Sequence, residues 1–136
     1  MKYVLDTNVV SALLEGDARV LARLASLSRD DVGVPQPALS EIAYGIARLP
    51  RSKRRELLRE RFELVRSELK RAEWSDGVTD AFGEIKATLE AAGTRIEDFD
   101  AAIAAHALAN RAVLVTGNVR QMARIRGLLL EDWTRR

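Results

Sequence analysis

Apolar and polar positions along this chain switch between two periods, and the switches divide it into short strands and amphipathic helices. Residues 2–5 predict a short buried strand. Thr7 or Asn8 caps a helix running to about Leu14 and closed by Gly16. Asp17 caps a second helix, with Val20, Leu21, Leu24 and Leu27 at helical spacing. Val32-Gly33-Val34 predicts a short strand. Pro35 and Pro37 stop it and lead into a helix over 37–48, whose apolar face is Leu39, Ile42, Ala43, Ile46 and Leu49. Pro50 breaks that helix. A charged helix over about 51–68 follows, with Leu58, Phe62, Val65 and Leu69 as a narrow apolar stripe. Leu69 to Trp74 predicts a strand, and Ser75 or Asp76 caps a helix through about Ala92, closed by Gly93. Glu97 or Asp98 starts the next helix, through about Asn110. Ala112 to Thr116 is the clearest strand, followed by a short helix near 118–124 and a last strand near Leu128–Leu130.

Strands alternating with helices predict an α/β fold with a mostly parallel central sheet. In such sheets function gathers at the carboxyl ends of the strands, where Asp6 and the Thr116-Gly117-Asn118 turn fall. A length of 136 residues without repeats or linkers predicts one domain over 1–136 with a single core. Composition narrows the chemistry. The absence of cysteine excludes disulfides, thiolate zinc sites and cysteine nucleophiles. With one histidine, a metal site must use oxygen ligands, which suit Mg²⁺, Mn²⁺ or Ca²⁺. The net charge is only +2, with a pI near 9.3. The basic residues are crowded: Arg48, Arg51, Lys53, Arg54, Arg55, Arg59 and Arg61 in one stretch, Arg120, Arg124 and Arg126 in another. No apolar run approaches the ~20 residues that span a bilayer. The start lacks a signal-peptide apolar region, so a cytoplasmic protein without a membrane partner is expected.

Three acids in separate segments sit where the chain changes direction: Asp6, Glu41 and Asp100. Converging carboxylates repel, so such a cluster calls for a hard cation. Each acid also has a plainer reading. Asp6 suits a helix cap as well as a metal ligand at a strand end. Glu41 suits a solvated first-turn acid. Gly45 lies four residues on, however, on the same helix face, where it leaves room for a metal, a substrate backbone or a partner. Asp98 reads as the N-cap of the apolar helix, and Asp100 projects from its first turn, where the dipole favours negative charge. Asn118 is a turn residue, a neutral oxygen ligand or a donor to phosphate. Thr7, Ser40 and Thr116 could orient metal-bound water. His106, six residues past Asp100, is off that acid's face and is better read as structural or surface. Arg51, Arg55 and Arg59 form one stripe at four-residue spacing, interleaved with Glu56, Glu60 and Glu63. That pattern suits a solvated salt-bridged helix; the sharper reading is a track for RNA phosphates.

Leu5–Val9, Ser40–Ile46, Ile96–Leu108 and Leu114–Arg120, in that order, resemble the successive motifs of the PIN-domain family. They most resemble the VapC-type toxins of bacterial toxin–antitoxin systems, and the ending Gly127–Trp133 is similar to that family's tail. The resemblance runs nearly end to end. It implies a PIN-like three-layer sandwich, a mostly parallel sheet of four to five strands flanked by helices. It implies a Mg²⁺- or Mn²⁺-dependent endoribonuclease, homodimeric and held inactive by a small antitoxin. By position, Asp6, Glu41 and Asp100 match the acidic metal ligands, and Thr7 and Ser40 the supporting hydroxyls. Asn118 stands where many family members have a fourth acid, which leaves open whether one or two metals bind and whether Asp98 supplies charge instead. Such chemistry needs no protein nucleophile and no histidine base. The antitoxin is expected in an apolar groove near helices 37–48 and 51–68, with an arginine entering the acidic site. Two other classes stand beside this one. A phosphoacceptor signalling domain would want paired acids after the first strand and a lysine after the last core strand, neither of which is present. A catalytically silent module of the same fold, binding RNA or protein, is separated from a nuclease only by activity or metal binding.

Overall fold

The computed structural model describes residues 1–135. Five strands form one sheet: β1 (Tyr3–Leu5), β2 (Val32–Pro35), β3 (Lys70–Ala72), β4 (Val113–Val115) and β5 (Leu129–Glu131). Their order is β3-β2-β1-β4-β5, and every pairing is parallel. The helices are α1 (Thr7–Leu14), α2 (Ala18–Ala25), α3 (Gln36–Ala47), α4 (Lys53–Glu68), α5 (Asp76–Ala91), α6 (Asp98–Ala109) and α7 (Val119–Met122). The chain steps outward from β1 through β2 to β3, then returns across the sheet to β4 and β5. Right-handed crossovers therefore set α1–α4 on one face and α5–α7 on the other. Packing follows: α1 meets α2, α3 and α4, while α5 and α6 run along one another.

The core forms where the short strands are apolar on both faces. Val4, Leu5, Val32, Val34, Leu114 and Val115 are fully buried. Helix α6 is buried almost all round because its packing surface is alanine: Ala101, Ala102, Ala104, Ala105 and Ala107 let it approach sheet and α5 closely. Leu58, Phe62, Val65 and Leu69 are buried, as their stripe predicts. Ala38 is buried on α3, whereas Ala43, expected on its apolar face, is exposed. The apolar side of α3 is thus narrower than its sequence suggests and turns toward the sheet.

Several boundaries move. Asp6, not Thr7 or Asn8, is the N-cap of α1; its backbone is extended and its carboxylate accepts from the Thr7 N–H. Glu97, not Asp98, occupies the N-cap position of α6. Strand β3 is only Lys70–Ala72, and α4 starts at Lys53, capped by Ser52. Gly16 and Gly93 close α1 and α5 at positive φ, 77° and 71°, as their sequence positions predict. At the chain's end, Arg23 stacks against both Tyr3 and Trp133, which ties the last segment to the start of β1.

Candidate active site

Parallel strands put all their carboxyl ends on one edge of the sheet, and that edge gathers the acids. Asp6 follows β1 directly, its N–H donating to the Val115 carbonyl at 2.9 Å, so the ladder fixes its backbone. Its side chain is 2% exposed. It accepts from the Thr7 N–H and the Thr116 hydroxyl, both at 2.7 Å, and more weakly from the Asn8 amide at 3.4 Å. Thr116, fully buried at the end of β4, also accepts from the Asn118 N–H at 2.9 Å. One hydroxyl thereby connects the two central strand ends. Asn8 accepts from the Gly117 N–H at 2.8 Å, and a Cβ at Gly117 would press on that oxygen at 3.4 Å. Glycine there lets the β4 turn close over α1.

Glu41, in the second turn of α3, accepts from the Thr7 hydroxyl at 2.5 Å. Asp100 projects from the first turn of α6. The acids feel one another. Burial is the main cause that pushes the Asp6 carboxyl above its ordinary value, and the Glu41 charge adds to it; the Thr116, Thr7 and Asn8 donors oppose. Asp100 is pushed up to about 6 by burial first, then by the charges of Asp6, Glu41 and Glu97. Among the described residues none of Asp6, Glu41 and Asp100 has a basic side chain in salt-bridge range.

This donor set fits a hard divalent cation: three carboxylates with hydroxyls between them, and no thiol or imidazole among them. Among the described residues no three acidic or imidazole side chains close into a ready-made cage. A magnesium-type ion commonly keeps several waters and is held by only one or two carboxylates.

The other expected residues divide. Thr7 and Thr116 join the cluster. Asn118 lies beside it, its side-chain amide engaged by Gln121. Ser40 is exposed and makes no side-chain hydrogen bond among the described residues; it lines a different cavity, with Gln36, Arg66 and Arg71. Asp98 turns away to pair with Lys86 of α5 at 3.1 Å, so it does not supplement the cluster. Glu97 is the acid that sequence reasoning passed over. Its signal was its place one residue before the helix, where a side chain stays near the mouth.

The proposed arginine track changes shape. Arg51 precedes α4, so the stripe does not run through it. Arg55 folds back on α3, reaching the Ala47 carbonyl at 3.5 Å with its Nε buried. Arg59 lines a cleft of about 290 Å³ between α3 and α4 with Arg66, and Arg120 is exposed on α7. His106 is fully buried, its Nδ1 2.7 Å from the Ala102 carbonyl and its ring edge-on to Trp74. Burial holds its pKa below the ordinary value, so it is structural.

Two grooves run along α1 and α4, and one of them reaches the site. One of about 330 Å³ runs between α1, α3 and α4, with Thr7, Glu41, Gly45, Arg48 and Arg54 on its walls. A Cβ on Gly45 would meet nothing within 4 Å, so that face of α3 is open beside Glu41. This groove, near helices 37–48 and 51–68 as expected, also carries Ile42, Ile46, Leu49 and Leu58; a second groove is more apolar. It is bounded by α1, α2 and α4, measures about 310 Å³, and is lined by Leu13, Leu21, Leu24, Leu64 and Leu69 among others.

Comparison with known proteins adds the lineage. A family model of the PIN domain matches residues 3–128. Ribonuclease VapC2 of Rickettsia felis is 33% identical over 135 residues, covering 98% of both chains. The tRNA(fMet)-specific endonuclease VapC of Salmonella typhimurium is 29% identical over 136 residues, again covering 98% of each. Among solved structures, VapBC2 from Rickettsia felis bound to a promoter DNA fragment superposes with a TM-score of 0.86 at 30% identity, covering 98% of this chain and 99% of that one. Sheet order, the acids at its carboxyl edge and near end-to-end similarity agree: the chain belongs to the PIN-domain family, among its VapC members.

Proposed function

We propose that this chain is a VapC ribonuclease, the toxin of a toxin–antitoxin pair, which hydrolyses RNA phosphodiester bonds at Asp6, Glu41 and Asp100. The observation that carries the reading is the buried Asp6, held by Thr7 and Thr116 at the strand ends and linked through Thr7 to Glu41, with the Asp100 carboxyl raised by burial first and then by the charges of both. Fold energy alone does not favour such a cluster; a cation does. Asp6, Glu41 and Asp100 would hold Mg²⁺ or Mn²⁺. Bound there, the cation supplies Lewis acidity, activating water and offsetting charge that builds on the phosphate.

The chain's own work is positioning. Thr116 and the Thr7 N–H lock the Asp6 carboxylate to the ends of β4 and β1, so a rigid edge holds it. Thr7 spans from α1 to Glu41, which fixes α3 against α1. Asp100 holds a proton up to about pH 6 without a cation, so cation and proton compete for it. The open groove beside Gly45 gives an RNA strand access to Glu41 and the Thr7 hydroxyl.

The antitoxin, in this reading, lays an amphipathic helix in the apolar groove between α1, α2 and α4 and sends a basic extension toward Glu41. A second copy of the chain completes the homodimer. The test is cleavage of total RNA and of initiator tRNA by purified protein with Mg²⁺, with Mn²⁺ and with EDTA. Asp6→Asn and Asp100→Asn are run beside it. Metal-dependent cutting lost in both folded variants supports the reading. Unchanged cutting in either variant removes that residue from the site, and a folded, metal-loaded wild type that cuts none of these RNAs favours the silent binding module.

A further inference from the structure

Helix α3 separates two unlike clusters. Toward β1 it presents Glu41 to the acids. Toward β3 it faces a cavity of about 180 Å³ lined by Gln36, Leu39, Ser40, Ala43, Arg66 and Arg71. Two guanidiniums and two neutral polar side chains thus share a small recess across α3 from Glu41. Both arginines are held. Arg66 stacks on the Phe62 ring at 4.1 Å and meets Glu63 at 3.6 Å, on its own helix. Arg71 is half-buried in β3, paired in register with Val34, and its guanidinium reaches the Leu69 and Arg66 carbonyls at 3.4 and 3.3 Å. Among the described residues Arg71 has no carboxylate partner. The side-chain groups of Gln36 and Ser40 likewise make no hydrogen bond among the described residues.

We propose that Gln36, Ser40, Arg66 and Arg71 form a phosphate subsite, which grips the RNA backbone next to the bond being cut. The inference rests on the ribonuclease reading and extends it to substrate positioning. Planar guanidiniums offer paired donors that match a phosphate, and the Ser40 hydroxyl and Gln36 amide add neutral donors. The spacing suits a phosphate further along the same strand, one or two nucleotides from the bond being cut. β3 lies two strands from β1, so the subsite stands on the order of 10 Å from the scissile position. The reversal of charge across α3 also orients the strand: the acids with their cation take one phosphate, the arginines another further along. A protein partner is the weaker occupant, because the recess is polar whereas the apolar groove lies between α1, α2 and α4. Ser40 thereby serves the substrate rather than the cation.

The experiment measures binding of a fluorescent single-stranded oligoribonucleotide to the full chain in an Asp6→Asn background, over a range of salt. Arg66→Ala and Arg71→Ala are each expected to weaken binding about tenfold. Each is expected to flatten the salt slope by about 0.7, the value of one lost phosphate contact on a single strand. Arg71→Lys is expected to recover part of both, while affinity for the cognate antitoxin stays unchanged. In the Asp6-intact protein, KM should rise more than kcat falls. Unchanged RNA affinity and slope in both variants would overturn the subsite, as would a loss confined to antitoxin binding. Failure of the arginine-intact protein to bind RNA would instead overturn the ribonuclease reading itself and take the subsite with it.

Discussion

Asp100 concentrates the conflict between folding and function in one side chain. Its carboxyl is raised to about 6 by burial and by Asp6, Glu41 and Glu97, against an ordinary value of 3.8 in the unfolded chain. A raised folded value means that the native state binds the proton more tightly. The contribution is therefore fully present below about pH 4 and is lost as pH rises through about 6. His106 works the other way: its lowered value makes the native state less favourable as pH falls below 6.5. Melting curves of cation-free protein from pH 4 to 8 separate the two when wild type is compared with Asp100→Asn. The variant should melt higher at pH 8 and lose most of the decline between pH 4 and 6. It should also lose most of the stabilisation that added Mn²⁺ gives the wild type. An identical pH profile in wild type and variant would show that Asp100 does not sense the other acids.

Element ends show how much of the molecule its sequence discloses. Strand-helix alternation predicts the parallel sheet, and the buried stripe of α4 follows from spacing alone, because both depend on periods local to the chain. Asp6 and Glu41 are linked through Thr7, and Asp100 lies close enough to feel both charges. What stays hidden depends on distant partners. Asp98 looks like a cap until Lys86, twelve residues upstream, draws it toward α5. Glu97 takes the cap position and adds its charge to Asp100. Ser40 belongs to Arg66 and Arg71, and no spacing along the chain joins α3, α4 and β3. The end of α6 carries its own local cost. Arg111 follows the C-cap at φ 53°, the left-handed conformation that favours glycine. Arg111→Gly should relieve strain of about 1 kcal/mol and raise Tm by roughly 3 °C without altering RNA cleavage. A lower Tm, read by calorimetry, would mean that Arg111 makes compensating contacts.

For the whole molecule the question is how one small domain stays harmless and then becomes active. Its surface divides the labour: acids gather at the carboxyl edge, two arginines line a recess across α3, and leucines line a groove between α1, α2 and α4. Leu64 is 60% exposed and Leu21 is 44% exposed, which costs solubility unless something covers them. An antitoxin helix seated there would bury both and could lead a basic tail toward Glu41, so binding and inhibition would follow from one event. If so, the two can be uncoupled. Leu64→Glu places a charge on an exposed wall of the groove and should leave the fold and RNA cleavage intact. It should weaken antitoxin capture by at least about tenfold, since a buried anchor commonly carries 2 kcal/mol or more. It should also remove the rise in melting temperature that an antitoxin gives by binding only the folded toxin. Co-purification, titration calorimetry and cleavage in the presence of antitoxin read the three effects together. A variant still captured and silenced at wild-type concentrations of antitoxin would move the interface off this groove. A variant that escapes capture yet cuts RNA at the wild-type rate would establish that recognition of the partner and chemistry on the substrate occupy separate faces of α4 and α1.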